Sequence, residues 1–371
     1  MPTTPPLPTQ RKAAGFLYTI NNDTNENAVV VLKRKADGTL TEVPGSPFRT
    51  GGKGLSGGDI DQQGAICVHG NFVIAVNPGS DSVAVLRKGD GGKLTPVAGS
   101  PFASGGPAPL SIAAHKGLVY VANQAPPFAN PKTAPNVTGF RIDRNGKLQP
   151  IAKSKIAFPK DHGPAQIAFN PSGKIVVVTS GFQDAETSRV HSFKVQPDST
   201  LKKSPGSPVR PAGASGPVGF SWNAAGNRVY VSNFRRSSII VFDVDPKTGS
   251  LTQNGAAHPT DGSAACWTAL SADGKTLYTA NFASNTISGF NVRDDGKLVL
   301  LGSVDRRGAG DPDTKDMVLS KDGRFLYAVA SLARQIAIFK IDAQRGLTEL
   351  PAGKSPAKIK SGQQILGLTT D

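Results

Sequence analysis

At 371 residues the chain is long enough for two or three ordinary domains of roughly 150 residues, and its 42 glycines and 29 prolines interrupt almost every candidate helix. A formal charge of +15 raises the question of a polyanion partner, but the basic residues are dispersed among turns (Lys93, Lys147, Lys174, Lys275, Lys297). Aromatic residues do not interleave with them as stacking platforms, and no run approaches the roughly 18 apolar residues of a membrane helix, so neither nucleic acid nor a membrane is expected as a partner.

In chain order, residues 1–14 (MPTTPPLPTQRKAA) are Pro-rich with no apolar run and are expected to be an extended or disordered leader. Such a leader resembles the mature start of an exported protein, so a secreted or periplasmic location is favoured over a cytoplasmic one. From residue 15 onward a unit repeats seven times. Its landmark is a polar turn closed by leucine: DGTL ending at Leu40, GGKL at Leu94, NGKL at Leu148, DSTL at Leu201, TGSL at Leu251, DGKL at Leu298 and RGL at Leu347. Successive leucines lie 54, 54, 53, 50, 47 and 49 residues apart. A period near fifty residues overrides the length-based estimate of two or three domains, and residues 15–371 are expected to form one domain.

Within a unit the pattern reads as four short strands. In the sixth these are ACWTALS (265–271), TLYTAN after the ADGK turn, the alternating TISGFNV, and a last strand after DGKL. A four-stranded unit cannot bury both faces alone, so the units stack, and radial stacking predicts an all-β, seven-bladed β-propeller. The first unit opens on its second strand (GFLYTIN, 15–21), and a strand-like run, QILGLTT (364–370), is left over at the end. That run is expected to supply the missing strand and close the ring, which removes an exposed edge.

A ring of this kind gathers on one face the approaches to the first strands and the loops after the second strands, around the mouth of an axial channel. The second strands end at Asn21, Asn77, Asn123, Ser180, Asn233, Asn281 and Ala330; the approaches contribute Gln62, Gln63, His162, Gln166, Trp267, Asp313, Lys315 and Asp316. The recurring asparagine reads first as scaffold, because Asn suits a strand-end turn in any blade. Two long loops, QAPPFANPKTAP after Asn123 and GFQDAET after Ser180, break the repeat and bring Phe128 and Phe182 as pocket walls.

Among five histidines, His162 in KDHGPAQ lies at the approach to the fourth first strand beside Asp161. It is the candidate general base, weighed against a plain surface histidine. Arg235 and Arg236 after Asn233, and Arg334 in the seventh unit, are candidate anion-binding groups. With His162, Arg235 and Arg236 as the catalytic set, the substrate-binding candidates are Gln63, Asn77, Asn123, Gln166, Phe182, Asn233, Trp267, Asn281, Lys315 and Arg334. No His or Cys pair has metal-ligand spacing, so no metal or other cofactor is expected. Cys67 and Cys266 belong to distant units and are expected to be free thiols, and two N-x-T sequons at Asn22 and Asn136 fall in predicted loops. GGKGLSGGD (51–59) lacks phosphate-loop spacing, and no G-x-S-x-G elbow is present.

The segments GDIDQQGAICVHGNFVIAVNPGSDSVAVL, HGPAQIAFNPSGKIVVV, AACWTALSADGKTLYTANFASNTISGF and MVLSKDGRFLYAVA resemble the lactonase-type seven-bladed propellers, which include propeller 6-phosphogluconolactonases and fungal carboxymuconate cyclases. The resemblance covers 15–371. It implies a metal-free His, Arg and Glu set at the channel mouth acting on lactones that bear carboxylate or phosphate. Here the family's G-P-H reads Gly163, Pro164, Ala165; its R-H pair reads Val218, Gly219; and Phe234 stands where its Glu would be. The resemblance therefore implies a lactone hydrolase on a small carboxylated or sugar-acid lactone, with a carboxymuconate-type cycloisomerase or a non-catalytic binding propeller as alternatives. The expected partner is a small anionic or lactone ligand, and the chain is expected to be monomeric.

Overall fold

The computed structural model describes residues 15–56, 63–126, 129, 131–181, 186–213 and 216–371. The proposed leader 1–14, Gln62, Phe128 and Phe182 lie outside the described residues. Seven antiparallel sheets follow one another around an axis. In the sixth blade, Ala265–Leu270 is innermost, followed outward by Thr276–Asn281, Thr286–Val292 and Leu298–Asp305. Each leucine of the sequence landmark opens the outermost strand of its blade.

Closure occurs as the leftover run predicts. Leu366–Thr370 pairs antiparallel with Phe16–Ile20 and becomes the innermost strand of the first blade. Asp371 bolts this joint: its carboxylate accepts from the Phe16 backbone N–H (2.8 Å) and the Tyr18 hydroxyl (2.9 Å), and Lys88 stands 3.5 Å away.

Blade-to-blade packing follows from two register positions. All five tyrosines of the chain (Tyr18, Tyr120, Tyr230, Tyr278, Tyr327) occupy the third residue of a second strand, and each is at most 1 % exposed. Burial of an aromatic body contributes roughly 1.5–3 kcal/mol, provided that its hydroxyl finds a partner. Tyr120 donates to the Ser199 carbonyl, Tyr278 to the Arg345 carbonyl and Tyr327 to the Gly38 carbonyl, each in the outer turn of the following blade. Two residues earlier, Phe16, Phe72 and Phe325 wedge their rings beneath the following blade's turn glycines, Gly92, Gly146 and Gly38; a Cβ on Gly38 would stand 2.3 Å from the Phe325 ring. The turn needs glycine for this close approach and for its φ of +89°.

Six innermost strands carry a register shift near the same end: between Pro109 and Ser111, Pro164 and Gln166, Pro217 and Phe220, Ala265 and Thr268, Thr314 and Met317, and, in the closing strand, Leu366 and Thr369. Bulges re-aim side chains. Here they set the residues around the axis, which include Gln166, Trp267, Lys315 and Asp316.

Candidate functional site

In five blades the first residue of the inner strand pairs with the last residue of the second strand, as Pro164 does with Ser180 and Pro217 with Asn233. The approaches to the inner strands and the loops after the second strands therefore share one face, called upper here. His162 lies on it above the fourth blade, half-buried, its backbone N–H bonded to the Pro159 carbonyl at 3.0 Å. Burial pulls the imidazole below its ordinary value of 6.5, the Arg189 charge acts in the same direction, and Asp161 opposes them. The ring is therefore mainly the neutral base at neutral pH. On the adjacent fifth blade the short 3-10 turn Phe234–Arg236 holds Arg235 and Arg236 exposed on the same face.

The asparagines at the second-strand ends are fully buried inside their blades. Asn77 accepts from Asn27 and Thr50 and donates to Ser82; Asn123 donates to Asn136; Asn233 donates to Ser238; Asn281 donates to Thr286 and Ser288. These amides tie the upper ends of neighbouring strands together, the scaffold role that a strand-end Asn suggests. The fourth blade substitutes chemistry in the same clamp: Ser180 replaces Asn, and His191, at the register position of Ser288, completes the bond with Nε2 2.9 Å from Ser180 Oγ. This pair has the composition of a catalytic dyad, but Ser180 is fully buried and His191 packs edge-on against Phe158. Sequence reading did not find it, because the partners meet only once the strand register is known.

The two glutamines serve the axis. Gln63, at the start of the second blade, crosses to the sixth, where its amide donates to the Thr268 carbonyl (2.6 Å) and accepts from the Thr268 N–H (3.2 Å). Gln166 does the same to Phe220 of the neighbouring blade, donating to its carbonyl at 3.1 Å and accepting from its N–H at 2.5 Å. Both amides are thus committed to backbone. Gly219 permits the crossing, since a Cβ there would lie 2.6 Å from Gln63 Oε1. Arg334, half-buried, donates to the Gly362 carbonyl at 2.9 Å and so ties the seventh blade to the closing segment.

Lys315 is only 3 % exposed, and its Nζ sits 5.5 Å from the centroid of the Phe282 ring. Trp267 is 1 % exposed, and its indole N–H finds no acceptor among the described residues. A buried donor left unpaired costs about 1–3 kcal/mol. Both cysteines are free thiols, and burial pushes Cys67 up to about 12.

A family model described as lactonase, 7-bladed β-propeller, matches residues 9–154, 133–268 and 256–360. The chain belongs to this lactonase family. A 6-phosphogluconolactonase from Yersinia pestis (strain Pestoides F) is 24 % identical over 224 residues, which is 58 % of this chain and 64 % of that relative's length. Among solved structures, the periplasmic gluconolactonase of Pseudomonas aeruginosa matches with a TM-score of 0.71 at 17 % identity, covering 95 % of this chain and 99 % of that one. A protein from Lactobacillus plantarum matches with a TM-score of 0.75 at 17 % identity, covering 97 % and 99 %. Both structural likenesses are likenesses of fold.

Three positions at which resemblance to the lactonase family implies polar groups come together in space. Ala165, Val218 and Phe234 share one apolar cluster with Cys266, Trp267 and Phe282. In this chain that place is an apolar floor bordered by Lys315, beside the Phe282 ring, and by the Trp267 indole N–H.

Proposed function

We propose that the protein is a lactone hydrolase acting at the upper mouth of the axial channel on a small carboxylated or sugar-acid lactone. The carrying observation is that a half-buried, predominantly neutral His162 shares the upper face with the exposed guanidinium groups of Arg235 and Arg236 on the adjacent blade. Family membership and the 6-phosphogluconolactonase names of its relatives support the same reading. In this proposal His162 takes a proton from water as it attacks the lactone carbonyl, and Arg235 and Arg236 hold the carboxylate or phosphate. The bond from the carbonyl carbon to the ring oxygen then breaks. The His162 imidazolium returns its proton to the leaving alkoxide, which yields the hydroxy acid and restores the neutral base.

A second reading is a binding propeller without turnover, favoured by the apolar cluster of Ala165, Val218 and Phe234 where the family resemblance places catalytic groups. Turnover of gluconolactone and its 6-phosphate, corrected for spontaneous hydrolysis, separates the two. The hydrolase reading expects His162→Ala to lose on the order of 100-fold or more in kcat and Arg235→Ala with Arg236→Ala to raise KM. Equal rates for the native protein and His162→Ala would eliminate it.

A further inference from the structure

At most seams between blades an aromatic or long side chain covers the next blade's outer turn: Phe16, Phe72, Arg228 and Phe325 each lie within 3 Å of where a Cβ on the facing glycine would stand. The seam between the sixth and seventh blades departs on both sides. Thr276 stands at the wedge position, and Arg345 takes the glycine position with a φ of +68°. Arg345 reaches back across the seam, its guanidinium bonding the Asp273 carboxylate at 3.1 and 2.6 Å and Thr276 Oγ1 at 2.8 Å. Between this ion pair and the axis a cavity of about 720 Å³ stays open on the lower face.

Its facing walls include apolar side chains, Leu270 from the sixth blade and Val318 and Leu319 from the seventh, and its inner end carries the hydroxyl pair Ser221 and Thr268, 2.8 Å apart. Gln63 forms part of its roof, and the bond from Gln63 to Thr268 spans the axis there. Of the three acids at the rim, Asp273 is paired with Arg345 and Asp322 with Arg34 and Arg324, while Asp342 is exposed and its carboxylate accepts from the Gly346 backbone N–H at 2.8 Å. Lys321 is exposed at the same rim, on a chain whose formal charge of +15 draws anions.

We propose that this groove is a second ligand site, on the face opposite the mouth, for a small molecule with a flat apolar body and one anionic end. The body lies between Leu270 and the Val318–Leu319 wall, the anion meets Lys321, and a hydroxyl or carbonyl at the inner end meets the Ser221–Thr268 pair. A volume of this size suits a ligand of one or two fused rings.

Anilinonaphthalene sulfonate, a naphthalene body with one sulfonate, is the probe, titrated against the folded protein with fluorescence readout. The expected result is saturable binding of one molecule per chain, weakened about tenfold, or 1.4 kcal/mol, by Ala343→Trp, which fills the groove from its exposed rim. Lys321→Glu is expected to weaken binding several-fold at low salt, with the difference shrinking as salt rises. Leu300→Lys, on the exposed apolar outer strand of the sixth blade, is expected to leave binding unchanged. Non-saturable binding, indifference to Ala343→Trp, or loss of signal in Leu300→Lys would each overturn the proposal.

Discussion

His191 and Ser180 replace, in one blade, the Asn-to-Ser clamp used in another, and the replacement makes that blade sensitive to acid. Burial pushes the His191 imidazole down to about 3, so the folded state holds it neutral while the unfolded chain protonates near 6.5. Protons therefore favour the unfolded state as pH falls below 6.5, and stability should decline by a few kcal/mol between pH 6.5 and 3. The double substitution Ser180→Asn with His191→Ser restores the Asn281–Ser288 arrangement of the sixth blade and is expected to flatten that decline in urea melts run from pH 7 to pH 4. An unchanged slope would assign the acid sensitivity elsewhere. His162 obeys the same electrostatics with a catalytic readout. If it is the base, kcat/KM should rise with pH through a midpoint below 6.5, and Arg189→Gln, which removes a charge that depresses it, should move that midpoint upward.

Strands and turns declare themselves locally, which is why the four-strand unit, the seven landmarks and the closing run are all readable in one dimension. Leu40, Leu94 and their counterparts end turns whose chemistry is set by immediate neighbours. Residues around the axis are different: Gln63 bonds a residue 205 positions away, and bulges decide where Gln166, Trp267 and Lys315 point. No local pattern carries that information. Ala165, Val218 and Phe234 look like ordinary apolar strand and loop residues until the ring places them side by side. The one visible clue to the odd seam was the RGL turn, where Arg345 stands in for glycine. The wedge itself is testable. Gly38→Ala should destabilise by about 1–3 kcal/mol through overpacking against Phe325, in addition to the strain of its positive φ. Gly206→Ala, with a φ of +72° and nothing within 4 Å of its Cβ, should show the strain alone, and equal melting temperatures for the two variants would discount the wedge.

For the whole molecule, stability rests on closure. Each blade buries its faces only against neighbours, so an open ring exposes two sheet faces and an unpaired strand edge at once. Removing residues 362–371 deletes the inner strand of the first blade together with the Asp371 bolt, and the melting temperature of the entire ring should fall in a single transition. A truncated protein that melts like the full chain would refute this dependence.

Gly15 and Asp371 stand in contact: a Cβ on Gly15 would meet Asp371 Oδ1 at 3.0 Å. Positions 15 and 371 are therefore close enough for a short link to join them without disturbing the blades. Rejoining these two positions through a short Gly-Ser tether and cutting instead at the exposed outer turn around Asn145 should yield a circular permutant with the same far-ultraviolet spectrum. Failure of that permutant to fold would mean that the order in which blades are made, beyond their final adjacency, matters to this protein.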